Sequence, residues 1–167
     1  MKTNKFLRIC IIVLLVVINV GCDQVSKSIV RKNIDAYEHI ELIDDNLILT
    51  KVENTGAFLS AGGTLPEPIR NVLLSLVPAL VLVGALSYAF FNQSLKTSAL
   101  IGLCFIIGGG IGNVFDRIKY GSVTDFLHIQ LGWFETGIFN MADVSIMIGF
   151  GLLLLQYFRK SEIPQEN

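Results

Sequence analysis

The chain has 167 residues and a formal net charge of -1; 52% of its residues are hydrophobic and only 16% are charged. A soluble domain of this size carries about a quarter charged residues, and a nearly neutral chain offers no basic surface to nucleic acid. The cysteines, Cys10, Cys22 and Cys104, are odd in number and form no CxxC, which leaves no basis for a disulfide framework, a dithiol redox centre or a zinc knuckle.

The charges are clustered. No acid occurs in the first 22 positions or between Glu67 and Asp116. Long apolar runs fill those gaps, and a bilayer-spanning helix needs roughly 17 to 25 such residues. In chain order, a basic head of Lys2, Lys5 and Arg8 precedes a first span predicted over 6–21. A polar loop, 23–68, follows, in which 39–49 and 50–59 are predicted as strands around an Asp44-Asp45-Asn46 turn. The second span, 69–91, contains Pro78, and the short connection Asn92 to Lys96 folds it against a third span at 97–115 as an antiparallel hairpin. A second polar loop, 116–138, leads to a fourth span, 139–158, so that 1–160 form one integral membrane domain and 161–167 a frayed tail.

Four spans put both termini on one side and both long loops on the other. The short segments carry Lys2, Lys5, Arg8, Lys96, Arg159 and Lys160, so the positive-inside rule places the termini in the cytoplasm. Lys27, Arg31, Lys32 and Arg70 blur that signal from the opposite side. Val20-Gly21-Cys22 after an apolar stretch resembles a lipoprotein signal, but Asn19 stands where such signals have Leu, Val or Ile, and three more spans follow. The first span is therefore read as a retained helix.

A charge inside a bilayer costs about 2.5 to 3.5 kcal/mol on insertion scales, so it needs a partner or a purpose. Asn140 and Asp143, spaced i, i+3 at the start of the fourth span, project from one face. A helix cap and a solvated first turn would account for them equally well. At the exit of the third span, Gly108-Gly109-Gly110-Ile111-Gly112-Asn113-Val114-Phe115-Asp116-Arg117 combines small residues that let helices approach with an amide, an acid and a guanidinium. Asp116 and Arg117 read as an interfacial pair. In Val123-Thr124-Asp125-Phe126 the acid is flanked by apolar residues, the setting of a carboxylate held in place.

Asp125 and Asp143 thus fall at one membrane surface, and carboxyl groups from the third and fourth helical ends are expected to meet there. Two close carboxylates share a proton. The ionised one can activate water while the protonated one donates to a carbonyl oxygen, which is peptide hydrolysis without metal, cofactor or covalent intermediate. No HExxH or GxSxG occurs, and His39 and His128 read as surface loop residues. Gly110-Ile111-Gly112-Asn113 has asparagine where another intramembrane aspartyl class has the acid of GxGD.

These segments, with Asp23-Gln24-Val25-Ser26-Lys27, Glu53-Asn54-Thr55-Gly56-Ala57-Phe58 and Phe139-Asn140-Met141-Ala142-Asp143, resemble lipoprotein signal peptidase (signal peptidase II), a bacterial membrane aspartyl peptidase family, over nearly the whole chain. The resemblance implies an all-α bundle of four transmembrane helices with a small extracytoplasmic β-sheet, the cradle, between helices 1 and 2. It implies Asp125 and Asp143 as catalytic residues, and Asn54, Asn113, Arg117 and Asn140 as lining the site and positioning substrate. Asp23, Lys27 and Asp116 would hold the site together, and Gly56 would allow a loop to approach the substrate closely. The substrate would be a prolipoprotein with diacylglycerol on its cysteine, cut just before that cysteine at the outer face of the bacterial inner membrane. No cofactor, metal or nucleic acid is implied, membrane lipids surround the chain, and a monomer is expected. Thr55 and Phe58 to Ser60 depart from the family pattern in a substrate-facing loop. The alternative is a non-enzymatic transport or assembly subunit in which Asp116, Arg117 and Asp143 form a structural or ion-coupling cluster.

Overall fold

In the computed structural model, which describes residues 5–43, 46–57 and 61–161, four helical segments are long and apolar enough to cross a bilayer: Lys5–Asn33, Glu67–Phe91, Thr97–Tyr120 and Met141–Phe158. Lys2, the Asp44-Asp45 step of the predicted turn, Phe58 to Ser60 and the tail beyond Ser161 lie outside the described residues. The elements run α1 (Lys5–Asn33), β1 (Ile40–Ile43), β2 (Leu47–Asn54), α2 (Glu67–Asn71), a π-helical turn (Val72–Leu76), α3 (Val77–Phe91), α4 (Thr97–Tyr120), β3 (Val123–Leu131), β4 (Phe134–Glu135) and α5 (Met141–Ser161).

The helices α1 and α4 outrun the predicted spans because their polar ends have partners inside the bundle. Beyond Gly21, α1 continues with Asp23 and Lys27 fully buried, while Val25 and Ile29 on the opposite face are exposed. That four-residue recurrence is the register of a helix, not of a loop. α4 continues past Phe115 to Tyr120 and stops at Gly121, whose φ of 75° lets its N–H return to the Arg117 carbonyl in a left-handed cap. The second span is continuous but widened at the π turn. Pro78 lies one turn on, has no N–H to give and crowds the carbonyl four residues before it, and the ladder accommodates this locally.

α4 is the central helix, packed against α1, α3 and α5. A Cβ at Gly109 would overlap the Ala142 carbonyl oxygen, and one at Gly112 would overlap the Asp23 carboxylate. Both glycines are therefore required by the closeness of α5 and α1 to α4. Ile12, Ala89, Leu100, Cys104 and Ile107 form the apolar core at the other end of the bundle. Leu80, Val81, Val83, Phe91 and Leu155 face outward and make the exterior apolar.

The four strands form one antiparallel sheet in the order β1-β2-β3-β4. β1 and β2 fall in the first polar loop as expected, but both are shorter than predicted and β2 begins at Leu47, inside the first predicted strand, because the chain already turns before it. β3 and β4 occupy the loop 116–138, where no strand was anticipated. The β2–β3 register sets Val52 opposite Asp125 and Asn54 opposite Val123, and a bridge from Leu127 to Phe139 brings β3 to the start of α5.

Candidate active site

The strand β3 and the first turn of α5 each deliver one aspartate, so Asp125 comes from the sheet rather than from a helical end. Asn140 joins the two. Its Nδ2 donates to Asp125 Oδ1 at 2.6 Å and its Oδ1 accepts from the Asp143 N–H at 3.1 Å. The Asn140 N–H donates back to Asp143 Oδ2 at 3.1 Å, closing a reciprocal cap on α5. The cap anticipated for this pair is present, and the same residues bring the second carboxylate alongside.

Two further asparagines complete the ring. Asn54 donates its Nδ2 to Asp125 Oδ2 at 3.0 Å and accepts the Gly56 N–H on its Oδ1 at 2.9 Å. Asn113 donates its Nδ2 to Asp143 Oδ1 at 2.9 Å while Lys27 Nζ donates to its Oδ1 at 2.8 Å. In all three, a scaffold donor occupies the amide oxygen and turns the NH2 group onto a carboxylate. Asp125 is 5% exposed. Burial pushes its carboxyl up from 3.8 to about 6, against the pull of the Asn54 and Asn140 amides and with Asp143 adding to the rise.

Beneath this ring lies a buried ionic cluster. Lys27 Nζ is 2.8 Å from Asp23 and 3.0 Å from Asp116, and Arg31 is 3.0 Å from Asp116. Two cations and two anions leave it neutral, as burial demands. Asp23 also accepts the Ala142 N–H at 2.9 Å, tying α1 to the first turn of α5 that carries Asp143. Asp116 and Arg117 do not form the expected pair. Asp116 turns into the bundle, whereas Arg117 donates to the Gly56 carbonyl at 2.9 Å and holds that buried loop glycine against α4. Every residue anticipated from the sequence is thus in or directly beneath one cluster.

Gln24, Arg31, Glu53 and Thr124 were not anticipated there. Gln24 Nε2 lies within hydrogen-bond distance of Asp23, Asp116 and the Gly112 carbonyl. Arg31 Nε donates to Thr124 Oγ1 at 2.7 Å, and Thr124 donates to Glu53 at 2.7 Å, bracing the sheet against α1 beside Asp125. The available signal was the spacing of Asp23, Lys27 and Arg31. His128 is also on β3, not in a loop.

The profile of the signal peptidase (SPase) II family matches residues 12–159. The lipoprotein signal peptidase of Syntrophotalea carbinolica is 30% identical over 93% of this chain and 95% of its own, and that of Brevibacillus brevis 35% identical over 87% and 93%. That of Aquifex aeolicus is 37% identical, with the match covering 64% of this chain and 63% of the relative. Two solved bacterial membrane enzymes share the fold. One superposes with a TM-score of 0.82 at 24% identity, covering 95% of this chain and 94% of that one; the other gives 0.79 at 26%, covering 89% and 93%. The chain belongs to the signal peptidase II family of membrane peptidases.

Proposed function

We propose that the protein removes signal peptides from diacylglyceryl-modified prolipoproteins by cutting just before the lipidated cysteine, with Asp125 and Asp143 as the catalytic pair at the outer face of the bacterial inner membrane. The observation that carries this reading is Asn140, which holds both carboxylates through one side chain and one backbone N–H. Asp125, with its carboxyl raised to about 6, is the proton carrier. Asp143 accepts from Asn113 and from the Asn140 N–H in the first turn of α5, where the helix dipole favours an anion. Asp143 takes a proton from water as that water attacks the scissile carbonyl, and Asp125 gives its proton to the carbonyl oxygen. As the tetrahedral intermediate collapses and the C–N bond breaks, Asp143 gives the proton it took from water to the departing cysteine nitrogen, and Asp125 recovers a hydroxyl proton from the intermediate. Arg117 and Asn54 anchor the Gly56 loop over the peptide. A substrate held by a signal helix and a lipid arrives confined to the interface, which supplies much of the orientation the reaction needs.

Purified protein incubated with a diacylated precursor peptide tests this. Cleavage before the cysteine is expected, and Asp143→Asn abolishes it while leaving the protein folded. Near-normal processing by that variant would overturn the assignment. The transport or assembly alternative is not favoured for a member of a peptidase family.

A further inference from the structure

A cavity of about 390 Å³ lies between the second span and the site-bearing end of α4, lined by Glu67, Arg70, Asn71, Ser75, Arg117 and Gly121. Ser75 reaches it from the π turn, which re-aims the side chains of the second span toward α4. Arg117 is shared with the candidate active site. Its two terminal nitrogens reach the Gly56 and Asn113 carbonyls, while its Nε is buried with no hydrogen-bond partner among the described residues. Arg70 donates to the Gly63 carbonyl at 3.3 Å, and its other guanidinium donors have no hydrogen-bond partner among the described residues.

Charge decides what kind of group this lining suits. The field of Asp125, Asp143 and Asp116 acts on Arg117, and Glu67 stands one helical turn from Arg70. The cavity therefore presents several hydrogen-bond donors without a net positive charge, a match for uncharged acceptors rather than for a phosphate. Ester carbonyls of a glycerolipid are such acceptors, and they sit where a bilayer meets water. On the reading given under Proposed function, the substrate carries two of them a side chain's length from the scissile bond.

We propose that this cavity receives the ester-linked glycerol of the lipidated cysteine, with Arg70, Asn71 and Ser75 donating to its carbonyl oxygens. The site then reads the linkage between glycerol and chains, and not only the apolar bulk of the chains. This inference rests on the proposed function, and the test separates the two.

Two lipopeptides with one peptide sequence and equal chain lengths are compared, one a diacylglyceryl ester and the other a dialkylglyceryl ether lacking the carbonyls. The unaltered protein is expected to show a KM for the ether on the order of tenfold higher, with kcat little changed. The double variant Arg70→Ala, Ser75→Ala raises KM for the ester toward the ether value and leaves the ether's KM where it was. A merely structural role for these residues would move both substrates alike, and that result overturns the inference. So does an equal KM for the two lipids in the unaltered protein, or Arg70-dependent competition by inorganic phosphate, which has no ester carbonyl and would assign the cavity to a phosphate. If the unaltered protein cleaves neither lipopeptide, the proposed function itself fails and takes this inference with it.

Discussion

Asp125 is buried, yet both of its carboxyl oxygens accept from amides. Each oxygen keeps a lone pair, so a proton can sit on it without breaking either bond. With its carboxyl at about 6 in the folded protein against 3.8 for an unperturbed aspartate, the native state binds a proton that the unfolded chain has already released. The folded pKa is raised, so the stabilisation is complete below about 4 and is lost as pH climbs through about 6. On the order of 3 kcal/mol is at stake across that window. Thermal unfolding in detergent between pH 4 and 8 should show a falling Tm for the unaltered protein and a flatter profile for Asp125→Asn. Cleavage by the unaltered protein should decline by about tenfold per pH unit above the same value, since the acid is then missing. A variant that keeps the original slope in Tm would show that another group titrates.

At the scale of elements, hydropathy locates where apolar runs end, and helices end elsewhere. The first span looks finished at Gly21 because Asp23 opens a polar stretch, but Asp23, Lys27 and Arg31 face inward along a helix that continues to Asn33. Their partners on α4 lie many residues away, so nothing local announces them. β3 is legible in the sequence: Leu127-His128-Ile129-Gln130-Leu131 alternates apolar and polar, the pattern of a half-exposed strand. The glycines were read correctly as sites of close approach, but which helix each one meets depends on the packing. Gly112 meets Asp23, the residue that holds the Ala142 N–H at the start of α5. A methyl group there should destabilise the protein by roughly 1 to 3 kcal/mol and misplace Asp143 as well. Gly21, with open space around its Cβ position, is the control. Gly112→Ala should lower both Tm and cleavage, whereas Gly21→Ala should leave cleavage unchanged and Tm equal or higher. Equal behaviour of the two variants would remove the packing argument.

Across the whole molecule, the polar cluster and the sheet occupy one end, and the opposite end is marked by two contacts. Arg8 near the start of α1 donates to the Ala89 and Asn92 carbonyls at the close of α3, and Ser98 at the start of α4 bonds Gln156 near the end of α5. Both ends of the described chain and the short α3–α4 connection therefore share a side, opposite the candidate active site. Two of the four bases that blur the orientation signal have a place in the bundle. Lys27 and Arg31 neutralise Asp23 and Asp116 within the bundle and belong to the site rather than to a charged flank. With them discounted, the positive-inside rule favours cytoplasmic termini, the orientation we propose. Cysteine accessibility checks this in a background where Cys10, Cys22 and Cys104 are replaced. Trp133 is 95% exposed beyond β3, and Ser94 is exposed in the α3–α4 turn. In intact cells whose outer envelope admits the reagent, a maleimide that cannot cross the inner membrane should label Trp133→Cys. It should reach Ser94→Cys only after that membrane is opened. The reverse pattern would put the aspartates in the cytoplasm, on the wrong side for a lipidated precursor held at the outer leaflet.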